Sequence, residues 1–144
     1  MAPTFQKDRS AGYLANHLAR LFALRLHERI RPLGLAPAQF MTLLELWREE
    51  GLTQRDLVAR LDVEQATMAN TLARMERDGL IERRAHDGDA RSKTIHLTDH
   101  ARSLREPAEA AAREVNEMAL TGMSGSEREQ FVETIKATVD RLRG

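Results

Sequence analysis

The segment from residue 53 to residue 97 constrains the fold of this 144-residue chain more than any other part of it. It begins with Thr53 and Asp56, whose side chains can satisfy the free backbone N–H groups in the first turn of a helix. Three apolar residues then supply the buried side of that helix: Leu57, Val58 and Leu61. The pattern therefore predicts a short helix that begins near residue 53.

A second helix is predicted from Glu64 to Asp78, after a break at residues 62–63. Its apolar residues recur at the spacing of one helical face: Met68, Leu72 and Met75. Gly79 follows, and glycine is the usual residue just beyond a helix end. Two helices that are joined by so short a break form a helix-turn-helix.

Two short strands are predicted directly after this pair of helices, at residues 81–84 and 94–97. The second strand alternates, with Ile95 and Leu97 on one face and Thr94 and His96 on the other. The charged loop between the strands, AHDGDARSK, contains the Asp-Gly pair that is typical of turns. A helix-turn-helix followed by a hairpin is a winged helix-turn-helix, with this loop as the tip of the wing.

Apolar helices are also predicted on both sides of the winged unit, which spans residues 36–100. In residues 1–35 the leucines recur too densely for one narrow stripe, and in residues 101–144 two helices are separated by a break at 121–125. Burying these extra faces most simply requires a second copy of the chain. The expected fold is therefore mainly α (α+β), a winged helix-turn-helix with terminal helices that form a dimerisation base.

Composition and missing motifs exclude several classes of protein. There is no membrane-spanning apolar run, no apolar core of a secretory signal and no cysteine, so we expect a cytoplasmic protein without disulfides. Phosphate-binding loops, nucleophile elbows and His-Glu-x-x-His motifs are also missing, so neither an enzyme nor a cofactor is expected. Basic and acidic residues balance at 22 each, so any nucleic-acid surface must be a local patch.

In a helix-turn-helix, the second helix enters the DNA major groove and its first residues meet the base edges. Amide, guanidinium and methyl groups can each recognise a base there. The candidates for base contacts are Gln65, Ala66, Thr67, Asn70 and Arg74. The candidates for phosphate contacts are Thr53, Gln54, Arg83, Arg84 and Lys93. An ordinary solvated helix and a solvated charged hairpin remain the alternative interpretation of the same residues.

Several motifs resemble those of the multiple-antibiotic-resistance regulator (MarR) family of prokaryotic winged-helix repressors. The resemblance extends from about residue 14 to the C-terminus, and its most specific motifs are LTQRDLVARL at 52–61, MERDGLIER at 75–83, DAR at 89–91 and LT at 97–98. It implies a homodimer on a pseudo-palindromic operator in double-stranded DNA. It also implies that Arg91 enters the minor groove and that Asp89 orients it. Ala66 departs from the family pattern, which commonly has serine there.

The resemblance further implies a small-molecule effector, often an aromatic acid or a related anion, whose binding between the dimerisation base and the winged unit weakens DNA binding. The candidate lining residues are His17, Arg25, Phe40, Leu44 and Trp47. Arg25 can pair with an acid. Plain core packing is the alternative for Phe40, Leu44 and Trp47, because apolar residues at helical spacing are usually core.

Two other functions remain possible from the residues alone. His86, His96 and His100 lie near the wing together with Asp87, Asp89 and Asp99, a set of residue types that can bind zinc, which would make the protein a metal-responsive regulator. Their spacing is not that of a known zinc motif, so no metal ligand is assigned. A helical dimer that serves only as a protein-interaction module would suit the zero net charge but would leave the charged wing unexplained.

Overall fold

The structure is a computed structural model that describes residues 1–86 and 89–144, with the side chains of residues 86 and 89–91 left out of the description. The chain divides into two compact units, residues 1–112 and 113–144. The helices are α1 (Ala11–Ile30), α2 (Pro37–Arg48), α3 (Gln54–Leu61), α4 (Gln65–Arg77), α5 (Asp99–Ser103), α6 (Arg105–Ala119) and α7 (Gly125–Arg143). The strands are β1 (Ile81–His86) and β2 (Asp89–Leu97), and short 3-10 turns cover Lys7–Arg9 and Arg31–Leu33.

The core of the first unit forms where α2, α3 and α4 pack against the hairpin and the start of the C-terminal helices. Its fully buried side chains come from all of these elements and from the end of α1: Ile30, Leu43, Leu46, Leu57, Leu72, Met75, Leu80, Ile95 and Ala101. The apolar residues of α4 were predicted to face the core. This prediction is confirmed, because Met68, Leu72 and Met75, here called the buried stripe of α4, are at most 2% exposed.

The ends of α3 and α4 follow the sequence signals. Thr53 Oγ accepts a hydrogen bond from Asp56 N at 3.1 Å, and the Asp56 carboxylate accepts one from Thr53 N at 2.9 Å. This reciprocal cap fixes the first turn of α3. Asp62 ends α3 in the left-handed conformation at φ 54°, and Gly79 follows α4 at φ 72°. The helix pair is therefore separated by a sharp, short turn.

The hairpin is longer than the sequence suggested. Its strands pair antiparallel from Ile81 opposite Leu97 to Ala85 opposite Lys93, and the register then shifts before His86. Main-chain hydrogen bonds of 2.8 Å between Gly51 and Ile95, and between Ile95 and Leu52, attach β2 to the end of α2. The wing therefore rests on the core. The predicted turn at Asp87-Gly88 lies outside the described residues.

The C-terminal region contains three helices, whereas the sequence was interpreted as two. The extra break falls at Leu104, between α5 and α6. Pro107 explains it, because proline has no N–H to donate to the carbonyl of Ser103 and its ring crowds the preceding turn. In the second unit, α7 begins with a reciprocal cap between Ser124 and Glu127. No helix within the described residues is long and apolar enough to cross a membrane.

Candidate nucleic-acid interface

The outer face of α4 is polar and open to solvent. All five residues predicted to contact bases, Gln65, Ala66, Thr67, Asn70 and Arg74, are exposed. Successive helical residues are rotated by about 100°. Ala66, Asn70 and Arg77 therefore lie on the side opposite the buried stripe of α4. Arg77 was missed by the sequence analysis, although its seven-residue spacing from Asn70 places both side chains on one helical face.

A hydrogen bond ties the start of α4 to the start of α3. Gln54 Nε2 donates to Gln65 Oε1 at 3.2 Å and lies 3.4 Å from the Gln65 carbonyl oxygen. One residue predicted to contact phosphate is thus linked to one predicted to contact a base. This bond restricts the Gln65 side chain and leaves its amide nitrogen available for a further acceptor.

A cleft of about 420 Å³ opens between the start of α3 and the hairpin. It is lined by Thr53, Gln54, Arg55, Arg83, Ser92, Lys93 and Ile95. Four of the five predicted phosphate contacts meet in this cleft. Arg84 does not line it, because it follows Arg83 in β1 and its side chain lies on the opposite face, where its guanidinium pairs with Glu82 at 2.7 Å. The sequence analysis missed Arg55 and Ser92. Among the described residues, the cleft is lined by three cationic side chains and by no carboxylate, so this part of it is suited to an anion.

Arg83 has a donor group that needs a partner. Its side chain is 23% exposed, and its Nε is buried without a hydrogen-bond partner in the part of the chain that the structure describes. The carboxylate of Glu76 lies 3.8 Å from this nitrogen, which is too far for a hydrogen bond. Because an unsatisfied buried donor is costly, an anion or a water molecule in the cleft would stabilise Arg83.

Comparison with known proteins finds similar sequences. The MarR family model matches residues 33–92. The HTH-type transcriptional regulator TtmR of Methylorubrum extorquens (strain PA1) is 33% identical over 104 residues, which is 72% of this chain and 52% of TtmR. The chain is thus similar in sequence to the MarR family over residues 33–92. Its matched part spans about half the length of that relative.

Solved structures share the fold over nearly the whole chain. A probable transcriptional regulator from Pseudomonas aeruginosa is 28% identical with a TM-score of 0.80, and the match covers 95% of this chain and 99% of that protein. BpsR from Bordetella bronchiseptica is 21% identical with a TM-score of 0.86, covering 96% of this chain and 99% of BpsR. The MarR winged-helix fold expected from the sequence is therefore confirmed.

Two residues to which the MarR resemblance assigns DNA contacts lie in the wing. These are Arg91 and Asp89, and their side chains lie outside the described residues, as does that of His86. Their roles stay predictions. What the structure describes of the wing is the paired part of its two strands and the cleft residues Arg83, Ser92 and Lys93.

The base of the wing is held by a polar clamp. The carboxylate of Glu50 accepts a hydrogen bond from Leu97 N at 2.9 Å and pairs with the Arg102 guanidinium at the same distance. The hydrogen bond from Arg102 holds the pKa of Glu50 below its usual range, and the bond from Leu97 acts in the same direction. One carboxylate thus joins the segment after α2 to β2 and α5.

The five residues predicted to line an effector pocket separate into two groups. On α2, Phe40 lies in the core at 3% exposure and meets Trp47 edge to face at 6.0 Å between ring centroids. Leu44 is half-buried beside the same core. On α1, His17 packs against Tyr13, and Arg25 pairs with Glu28 at 3.1 Å.

No set of three His, Asp or Glu residues among those described is arranged to hold a metal ion. A ring nitrogen of His96 lies 2.9 Å from Thr94 Oγ, so this histidine has a hydrogen-bonding partner within the hairpin.

Proposed function

We propose that this chain is a sequence-specific DNA-binding transcriptional regulator of the MarR family and not an enzyme. The observation that carries the proposal is the cationic cleft of Thr53, Gln54, Arg55, Arg83 and Lys93 beside the exposed polar face of α4. Phosphate contacts position a protein on DNA, and contacts to base edges supply specificity. The cleft would supply the phosphate contacts, and the exposed face of α4 would supply the base contacts.

In the proposed complex, α4 enters the major groove. Gln65 and Asn70 are placed to pair with adenine and Arg74 with guanine, while Ala66 and the Thr67 methyl can contact thymine. The cleft takes a backbone phosphate, which would also satisfy the buried Nε of Arg83. Arg91, oriented by Asp89, enters the flanking minor groove, where narrow A·T tracts attract arginine.

A second copy of the chain is the proposed partner of the exposed apolar residues. On α1 these are Leu14, Leu18, Leu21 and Leu24, and on α7 they are Val132, Ile135, Val139 and Leu142. Apolar stripes of this length on exposed helices are typical of oligomer interfaces. Two-fold symmetry would place two α4 helices on half-sites about one helical turn apart, at about 34–36 Å, which is a pseudo-palindromic operator.

The proposed regulator is a repressor that a small ligand releases from DNA. Support comes from BpsR, whose DNA binding is regulated by 6-hydroxynicotinic acid. An aromatic acid of that kind is the proposed class of effector, and His17, Arg25, Phe40, Leu44 and Trp47 remain the proposed pocket. A contribution from a second copy would be needed to complete it, because His17 and Arg25 are exposed on α1.

Fluorescence anisotropy with a labelled fragment from upstream of the protein's own gene tests the proposal. We expect selective binding over random DNA that weakens as the salt concentration rises. Lys93→Ala should weaken binding to all sequences and reduce the salt slope by about 0.9, which is the effect of one lost phosphate contact. Lys136→Ala, which removes the same charge from an exposed position on α7, serves as the control.

Asn70→Ala tests the specificity part separately. Its binding to random DNA should be unchanged, while its preference for the upstream fragment falls by about 1–3 kcal/mol, the usual value of one good base contact. Equal affinity of the wild-type protein for the upstream fragment and for random DNA would contradict the proposal.

A further inference from the structure

A second basic cavity lies away from the cleft, where the end of α1, the start of α2 and the end of α4 meet. Its volume is about 450 Å³. Its charged and titratable lining consists of His27, Arg31, Arg74, Arg77 and Asp78. Among the described residues, three guanidinium groups thus meet a single carboxylate. None of these residues belongs to the predicted effector pocket, and only Arg74 was predicted to contact DNA.

The one carboxylate in this cavity already has its own partners. Asp78 Oδ2 accepts a hydrogen bond from Gln39 Nε2 at 3.0 Å, and Oδ1 accepts one from Arg77 Nε at 3.2 Å. Both bonds lower the pKa of Asp78, the bond from Gln39 more than the bond from Arg77. Asp78 is therefore charged at neutral pH, and its two oxygens are directed at Gln39 and Arg77.

The other two arginines, Arg31 and Arg74, form no ion pair within 4.0 Å in the part of the chain whose side chains are described. Arg74 is still close enough to Asp78 for its charge to help lower the pKa of that carboxyl. Arg31 lies just after α1 and Arg74 lies on α4, so they approach the cavity from different elements. Guanidinium groups that face one cavity repel each other, and a shared anion removes that repulsion.

The start of α2 adds to the positive potential at this place. Pro37 is the first residue of α2, and no side chain caps the helix. The N–H of Ala36 is satisfied by Gln39 Oε1 at 3.1 Å, which also fixes the Gln39 side chain that contacts Asp78. The helix end alone would not make a site, but here it lies beside two arginines that form no ion pair within 4.0 Å in the described part of the chain.

We propose that this cavity binds an oxyanion, a carboxylate or a phosphate, through Arg31 and Arg74. Arginine forks suit both groups, and the volume lies within the usual range of about 300–1,000 Å³ for small-ligand sites. The anion belongs to a free small ligand or to the DNA backbone. The anion site itself does not depend on the proposed function. Its effect does, because an anion bound at Arg74 changes the charge of α4 and therefore the affinity of α4 for DNA.

The test uses the full chain without DNA. Inorganic phosphate and, separately, benzoate are titrated into ¹⁵N-labelled protein at constant ionic strength, and backbone and arginine Nε signals are followed by NMR. We expect saturable shifts that cluster at residues 31, 74 and 77. Arg31→Gln should weaken binding by at least about tenfold, because it removes one of the two charged contacts.

The matched control is Arg20→Gln, which removes the same charge from an exposed position of α1 that does not line the cavity. Binding that weakens equally in both variants would reflect general charge and would overturn the site. Saturable binding that Arg31→Gln alone weakens supports a free ligand as the source of the anion.

A second arm measures the DNA affinity of the same three proteins. If neither probe binds but Arg31→Gln lowers DNA affinity at least tenfold more than Arg20→Gln does, the anion is a backbone phosphate and the site stands. If neither arm distinguishes the two variants, the proposal is wrong. In this arm, the DNA affinity of the wild-type protein tests the proposed function. Wild-type protein that binds the probes but not DNA would contradict the proposed function and leave the anion site standing.

Discussion

The large apolar residues of α4 are buried in this structure, whereas most of those of α1 are exposed to solvent. On α4, Met68, Leu72 and Met75 are at most 2% exposed, because α2, α3 and the hairpin cover them. On α1, Leu21 and Leu24 are 44% and 50% exposed, and only the end of the helix is buried. Both helices carry apolar residues at helical spacing, and they differ in whether the rest of the described chain covers those residues.

This difference in exposure indicates different roles for the two helices. The buried stripe of α4 holds that helix in one orientation, so that Asn70 and its neighbours are displayed on a rigid support. The stripe of α1 leaves apolar surface in water, which is unfavourable unless a partner covers it. We therefore expect substitutions in α4 to change the stability of the fold, and substitutions in α1 to change association.

The largest effect is expected for Leu72→Ala in α4. Leu72 is fully buried, so its truncation removes apolar contacts and leaves a cavity. The free energy of unfolding should fall by about 2–5 kcal/mol. Urea denaturation followed by circular dichroism measures it. If Leu72→Ala lowered the free energy of unfolding by less than Leu24→Ala, a substitution of an exposed leucine, the distinction between the two helices would be wrong.

The next effect is expected for Leu21→Glu in α1, which places a charge in the exposed apolar stripe. The dimer should weaken by at least about tenfold, or about 1.4 kcal/mol, because a charge must then be buried on association. Sedimentation equilibrium measures it. Asn16→Glu adds the same charge at an exposed polar position of α1 and should leave the dimer unchanged. Identical sedimentation of Leu21→Glu and wild type would rule out the α1 stripe as an interface.

A smaller effect is expected for Trp47→Phe at the edge of the covered core. Trp47 Nε1 donates a hydrogen bond to the Ala101 carbonyl oxygen at 3.0 Å, and Ala101 is fully buried. The substitution leaves that oxygen without its donor and should cost about 1 kcal/mol. The urea midpoint reports it, and an unchanged midpoint would mean that water replaces the indole.

The smallest effect is expected for Asp56→Asn, and it should depend on pH. The hydrogen bond from the Thr53 N–H holds the pKa of Asp56 below its usual 3.8. A carboxylate whose pKa is lowered on folding stabilises the fold above the unfolded pKa and loses that effect as pH falls through the folded pKa. The variant should therefore be less stable than wild type at about pH 7, and the gap should narrow as the pH falls below the unfolded value of 3.8. A gap that is constant over this range would contradict the assignment.

The features that could be predicted from the sequence depend on interactions between residues that are close in the chain. The start of α3 was predicted because Thr53 and Asp56 are three residues apart, and the turn after α4 because Gly79 acts within one helical turn. The break before α6 was missed although Pro107 is visible in the sequence, because the apolar spacing continues through it. Arg55 and Arg77 were missed because nothing local marks them as members of a cleft or of a cavity.

The sequence by itself determined which segments become helices and strands, which of their faces are apolar and where α3 and α4 end, because these properties depend on residues a few positions apart. Only the tertiary structure decided that Thr53 shares a cleft with Arg83 and Lys93, and that Arg31 shares a cavity with Arg74. These pairs come from elements that meet through packing of the buried core. Their distance is set by the angles at which the elements pack, which no local pattern of residues encodes.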